Sequence, residues 1–278
     1  MLNVAQTTLA DSISYNGIGL HAANEVHMVL RPAPADTGII FVRTDLPGHP
    51  SVPARLSNVT NTMRATTLEN GEAKVFTVEH LLSALQGLQI DNCIVEMNSV
   101  EPPVADGSSL TFVHLIEQVG TVSLDAPRCV LTVKKQHIVQ DQDKFIAIIP
   151  YDGFRITFTS INPHPLLGVQ FMDTEIADKQ QYIQDVAPAR TIAFTQEFEM
   201  LKKLGLGKGG TIENVVVYDE HTCLSTLRFY DELVRHKVLD IVGDMALIGK
   251  PIKGHIIAVK SSHKLNNRLA NEIFKEVD

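Results

Sequence analysis

Long apolar runs are missing from this chain. The densest stretch, Phe145 to Ile149, is broken within a few residues, far short of the roughly 20 apolar residues a membrane-crossing helix needs. No segment is expected to span a bilayer. Cysteine is scarce: Cys93, Cys129 and Cys223 are the only three, none in a CxxC pair. An odd, scattered set argues against both a disulfide framework and a thiolate zinc knuckle, and small core residues are expected instead. Runs of lysine and arginine are absent, and the net charge is -8. That balance argues against nucleic acid as the principal partner, while leaving room for a local basic pocket that takes a phosphorylated small molecule. The opening residues, MLNVAQTTLADSIS, lack the basic start, apolar block and cleavage site of a secretory signal, so a cytoplasmic location is expected.

What is present is a pattern that occurs twice. A length of 278 residues favours two domains. Early stretches such as EVHMVLRPA and GIIFVRTD read as strands. FTVEHLLSALQG reads as a helix with Thr77 as N-cap and Gly87 as its stop. NCIVEMNSV is then a strand, and SLTFVHLIEQVG a second helix opening on a serine cap. The second half offers strands in CVLTVKKQHIV, FIAIIPY and FRITFTSI, a helix from about Phe229 to Ile248, a strand in GHIIAVK and a closing helix in SHKLNNRLANEIFKEV. His80 to Ser108 and His236 to Ser262 each run through helix, glycine, strand, polar loop and the start of another helix. The expectation is an α+β chain of two similar domains, each a sheet with helices on one face. The break falls near VSLDAPRC, giving domains over 1–126 and 127–278. Between Pro163 and Glu220 the pattern is weaker, with an inserted helix, turn and strand in LKKLGLGKGGTIENVVVY.

In RHKVLDIVGD, His236, Asp240 and Asp244 stand four apart and so line one stripe of a helix, opposite Val238, Ile241, Val242 and Met245. Alone, the stripe fits a histidine and an aspartate that support each other; a metal needs a further ligand. His80 is a candidate, since the first turn of a helix disfavours protonated imidazole and leaves the lone pair for a cation. If the halves pack helix layer against helix layer, His80 and His236, at corresponding positions, meet across the seam, with Asp240 as third ligand. Two imidazoles and one carboxylate suit zinc, and three protein ligands leave a fourth position open for water, whose pKa such a site brings to about 7. Glu79, beside His80, could accept the proton. Glutamate in a first turn is also common for dipole reasons alone. These are the parts of a metal-assisted hydrolase of an amide or ester.

TVEHLLSALQGLQIDN, DGSS, ARTIAF, RHKVLDIVGD and KSSHKLNN together resemble the UDP-3-O-acyl-N-acetylglucosamine deacetylase family, the zinc amidases of lipid A biosynthesis, over nearly the whole chain. The resemblance implies two α+β domains packed through their helices as a duplicated two-layer sandwich. It implies a zinc ion (ferrous iron being the other metal the ligands admit) on His80, His236 and Asp240, and Glu79 as general base. It implies His263, paired with Asp244, as a protonated imidazole, Thr191 as a donor to the developing oxyanion, and Lys237 and Lys260 near the substrate phosphates, with Lys144 near the nucleotide. Met63 and Arg64 would border the hydroxyacyl group and the metal. An insert over about 192–218, with Phe194, Phe198, Leu201, Ile212 and Val217, would hold the acyl chain. The reaction implied removes acetate from a UDP-3-O-(3-hydroxyacyl)-N-acetylglucosamine, a small-molecule substrate, by a monomer. Departures fall on substrate detail: Ile161, Asn162 and Pro163 stand where many relatives place an acidic residue and an aromatic, Ser262 replaces a frequent glycine, and Arg64 is bulkier than the usual occupant. The alternatives are the same chemistry on another acylated sugar, or a non-catalytic acyl-sugar binder, from which the retained Glu79 and His263 set it apart.

Overall fold

The structure, a computed structural model, describes residues 4–176 and 178–275. The N-terminal half is built on a sheet whose strands lie side by side in the order Ile13–Ile18, Glu25–Pro32, Cys93–Met97, Ile39–Arg43 and Ser51–Pro53. The C-terminal half repeats that order with His137–Asp141, Lys144–Ile149, Ile252–Val259, Phe154–Ile161 and Val169–Glu175. In each, the last strand of the sheet in chain order slips between two hairpins, antiparallel to one neighbour and parallel to the other. A parallel neighbour cannot be reached by a tight turn, so each half carries a crossover with a helix in it. That helix is α1 (Glu79–Gly87) in the first half, where α2 (Leu110–Val119) follows the inserted strand. In the second half α3 (Lys179–Asp185), α4 (Phe198–Lys203) and α5 (Glu232–Ala246) precede the inserted strand and α6 (His263–Phe274) follows it. The expected duplication is therefore present in the strand order itself.

α1 packs lengthwise on α5, and α5 lies on the sheet of its half against Phe154–Ile161 and Val169–Glu175. Alternation sets the faces: in Phe154–Ile161 every second residue is buried, sending Phe154, Ile156 and Phe158 toward the helices. On α5 the apolar face expected from the sequence, Val238, Ile241, Val242 and Met245, is fully buried, each side chain contributing about 1.5–3 kcal/mol relative to exposure. Gly243 is what lets the two central helices approach so closely. A Cβ there would lie 2.1 Å from the carbonyl oxygen of Glu79. Among the described residues no helix is long and apolar enough to cross a membrane.

Several local details differ from the sequence reading. Thr77 does not cap α1: it adopts a φ of 56°, and its hydroxyl turns 3.5 Å from Glu101 while Val78 occupies the cap position. Ser109 precedes α2, but its hydroxyl donates to the carbonyl of His80 at 2.7 Å. CVLTVKKQHIV is two strands because its ends have different partners, Leu131–Thr132 running beside Ile252–Lys253 and His137–Asp141 forming a hairpin with Lys144–Ile149. The weak region holds the edge strand Val169–Glu175 and α3. The insert consists of parallel strands Ile192–Phe194 and Val216–Tyr218 joined through α4. Pro127 ends the strand Thr121–Pro127, which returns to pair with Ala5–Leu9. The last part of the expected closing helix, residues 276 and 277, lies outside the described residues.

Candidate metal centre

The stripe on α5 is buried. Nδ1 of His236 lies 3.1 Å from the carbonyl oxygen of Ala189. A carbonyl only accepts, so the ring donates there and Nε2 keeps its lone pair. That nitrogen faces Oδ1 of Asp240 at 3.4 Å, and Oδ1 is a buried atom with no hydrogen-bond partner among the described residues. Two lone pairs facing each other out of water are the arrangement a cation resolves. Oδ2 of Asp240 accepts from Lys237 Nζ at 2.7 Å. From the other half, the ring of His80 meets that of His236 edge to face, 5.0 Å between centroids. One donor atom each from His80, His236 and Asp240 lie within 4.8 Å of one another. Burial pushes the His80 imidazole down to about 3 and lowers that of His236. Both are thus neutral, as ligands must be. Burial works to raise Asp240, but Lys237 above all, with the charged His263 among the nearby imidazoles, holds it well below the usual carboxylate range.

Glu79 opens α1 and is 2% exposed. Its Oε2 accepts the backbone N–H of Thr66 at 3.1 Å, and its Oε1 lies 3.8 Å from Nε2 of His263. Burial pushes the carboxyl up to about 7; His263 opposes the rise, while Asp244 and Asp240 add to it. His263, the first residue of α6, donates through Nδ1 to Oδ2 of Asp244 at 2.8 Å. Burial acts to lower this imidazole, yet Asp244, then Asp240 and Glu79, lift it to about 10. The carboxylates thus outweigh both burial and the positive end of the helix dipole, and His263 is charged at neutral pH. Asp244 is held on both oxygens, Oδ1 by the hydroxyl of Thr66 at 2.6 Å and Oδ2 also by Nδ2 of Asn266 at 2.8 Å.

Glu79, His80, His236, Asp240 and His263 line one part of a cavity of about 760 Å³. Thr191 and Lys237 border it, and its far wall is apolar, with Phe198, Leu201, Leu206, Ile212, Val215 and Val217 from the insert. Arg64, at a φ of 69°, pairs with Glu197 of the insert at 2.8 Å, and both border the cavity. The cavity wall does not include Met63, Phe194, Lys144 or Lys260. Met63 is 60% exposed. Phe194 packs its ring against Tyr218 and His164, 5.9 and 6.2 Å between centroids. Lys260 pairs with Asp143, and Lys144 is exposed on the neighbouring hairpin. Ile161 is exposed at its strand end, and Asn162 accepts the N–H of His164 at 2.9 Å.

Residues the sequence reading did not name complete the site. Thr66 and Asn266 hold the carboxylates, and neither carries a local signal, because each acts through contacts far along the chain. His21 is buried against Phe76 and accepts the N–H of Gly207, tying the glycine-rich turn of the insert to the first half. Burial, with Arg64 adding to it, pushes that imidazole down to about 4. A histidine just after the glycine pair of NGIGLH was the available hint.

A buried cluster of two imidazoles and a carboxylate, with a second carboxylate poised near neutrality and a charged imidazole beside it, has the groups that hydrolases of the metal-assisted class require. The family model described as UDP-3-O-acyl N-acetylglycosamine deacetylase matches residues 6–275. The chain is 41% identical over 278 residues to the UDP-3-O-acyl-N-acetylglucosamine deacetylases of Hahella chejuensis and of Pseudomonas entomophila, covering 99% of this chain and 92% of each relative. It is 40% identical over 279 residues to that of Thioalkalivibrio sulfidiphilus, covering 99% and 91%. The chain belongs to the UDP-3-O-acyl-N-acetylglucosamine deacetylase family.

Proposed function

We propose that this protein hydrolyses the N-acetyl group of a UDP-3-O-(3-hydroxyacyl)-N-acetylglucosamine, releasing acetate in lipid A biosynthesis in the cytoplasm, with a zinc or ferrous ion held by His80, His236 and Asp240. The observation that carries it is the donor set: one donor atom from each of three buried side chains of two halves, all within 4.8 Å of one another, and an Asp240 Oδ1 without a hydrogen-bond partner among the described residues. Held by these three residues, such an ion would supply Lewis acidity toward the amide carbonyl and water. Glu79, with a carboxyl near 7, takes the proton of the attacking water. A carbon–oxygen bond forms, the amide carbon–nitrogen bond breaks, and the amine departs with a proton delivered by Glu79 or His263. His263, kept charged by Asp244, and Lys237 stabilise the negative charge that develops on the carbonyl oxygen, with the Thr191 hydroxyl as a further donor worth a few kcal/mol when pre-aimed. The apolar wall of the insert holds the acyl chain, and Lys260 and Lys144, which stand outside the cavity wall, are the residues this reading assigns to the phosphates and the nucleotide. Residues 1–126 and 127–278 are the two domains of this reading.

The test is acetate release from the UDP-sugar by purified protein, with and without a chelator, beside its metal content. Release that stops on chelation and returns with metal is expected. No release, or release indifferent to the chelator, overturns the assignment.

A further inference from the structure

Thr66 stands immediately before the strand Thr67–Asn70 and is 2% exposed. Its backbone N–H donates to Oε2 of Glu79 at 3.1 Å and its hydroxyl to Oδ1 of Asp244 at 2.6 Å. Glu79 begins α1 and Asp244 lies near the end of α5, so a residue from a third element ties together two buried carboxylates of different halves. The remaining oxygen of each is directed at one imidazole. Glu79 Oε1 lies 3.8 Å from Nε2 of His263, and Asp244 Oδ2 accepts from its Nδ1 at 2.8 Å.

We infer that Thr66 is a positioning residue for the deacetylation: its two donors lock the oxygens that His263 does not use, so that Glu79 and Asp244 present their other oxygens to opposite nitrogens of the same ring. This rests on the reading of Glu79 and His263 as proton acceptor and charged partner. A carboxylate turns about a broad, two-fold terminal torsion, so packing alone does not select which oxygen faces the ring. A directed donor does. Asn266 binds the same Oδ2 as His263, which leaves the Thr66 hydroxyl, among the described residues, as the donor that secures Oδ1. The β-branch restricts the rotamer that aims the hydroxyl. Any residue but proline would supply the backbone N–H, so side-chain variants leave the Glu79 bond in place and isolate the arm to Asp244.

The experiment compares wild type with Thr66→Val, Thr66→Ala and Thr66→Ser in acetate release from UDP-3-O-acyl-N-acetylglucosamine, with bound metal and thermal midpoint measured on the same samples. A hydrogen bond to a charged group sets the scale: kcat should fall about tenfold to a hundredfold in Thr66→Val and Thr66→Ala. KM and bound metal should stay within about twofold of wild type, and Thr66→Ser should recover most of kcat. The Nδ1 proton resonance of His263, assigned by its loss in His263→Ala, should move or broaden in Thr66→Val and return in Thr66→Ser. Wild-type kcat in Thr66→Val, an equal loss in all three variants, or failure of both hydroxyl-free variants to fold would overturn the role. A wild type that releases no acetate removes the deacetylase reading itself, and the role of Thr66 with it. An active wild type beside an unaffected Thr66→Val removes only the role of Thr66.

Discussion

Replacing Gly243 with alanine tests whether the seam between α1 and α5 sets the geometry of the metal centre. The new Cβ would lie 2.1 Å from the carbonyl oxygen of Glu79, 2.8 Å from its carbonyl carbon and 2.9 Å from its Cα. All three are backbone atoms in the first turn of α1, so no rotamer change clears them. Because Cβ atoms do not sit closer than 3.0 Å to a neighbour, the helices must open by about 0.9 Å at this point. Overpacking of a filled core costs about 1–3 kcal/mol, and alanine returns about 1 kcal/mol of helix propensity. The net loss, at about 2–4 °C per kcal/mol for a chain near this size, lowers the melting temperature by less than about 8 °C. The site suffers more than the fold. Glu79 and His80 move with α1 away from His236, Asp240 and His263, and a misplacement on this scale can cost on the order of a hundredfold in rate. Steady-state acetate release and metal affinity of the folded Gly243→Ala protein should therefore both drop sharply while its circular dichroism stays native. Wild-type turnover and metal affinity in that variant would refute the reasoning.

Glu79→Ala should abolish turnover and keep the metal, whereas His236→Ala should lose metal; equilibrium dialysis with metal analysis separates the two, and metal loss from Glu79→Ala would contradict its place as a base. Asp244→Asn removes the foremost charge holding His263 at about 10. If the charged imidazole is required, the alkaline limb of the pH–rate profile moves to lower pH, and an unmoved limb argues against the pairing. Arg190 and Glu232 form a buried two-pronged pair, at 2.8 and 3.1 Å, where the insert meets the start of α5. Burial would raise the Glu232 carboxyl, but Arg190 above all lowers it. Its stabilising contribution is therefore present above the unfolded carboxylate pKa and lost as the pH falls through the depressed one. Arg190→Met should cost about 3–5 kcal/mol at neutral pH, on the order of 10 °C in melting temperature. That deficit should shrink below about pH 4, as the orphaned carboxyl is protonated in both states; a deficit that grows on acidification counts against the pair.

Much of the site could be read from the sequence because its spacing is local. His236, Asp240 and Asp244 follow helical periodicity, and the matching order of elements around His80 and His236 already brought two helices face to face. What resisted was decided by distant contacts. The hydroxyl of Thr66 meets a carboxylate 178 residues away, and nothing in RATTL signals it. Thr77 has the residue type of an N-cap but a left-handed backbone that turns it to Glu101 instead. The strand Val169–Glu175 alternates cleanly in burial, but its exposed face carries Val169 and Phe171, which blurs the apolar–polar alternation that reveals an edge strand in sequence. Phe194 belongs to an apolar strand of the insert, and its packing on Tyr218 and His164 depends on partners that periodicity does not rank.

Neither half of the chain owns the proposed metal centre. His80 belongs to one and His236 with Asp240 to the other, so an ion gripped by all three would act as a rivet through the interface. Anything bound only while the halves stay docked resists their parting, by about 2.7 kcal/mol at a hundredfold excess over its Kd. A chelator would then loosen the body of the enzyme as well as silence it, and tolerance of heat would track the supply of metal.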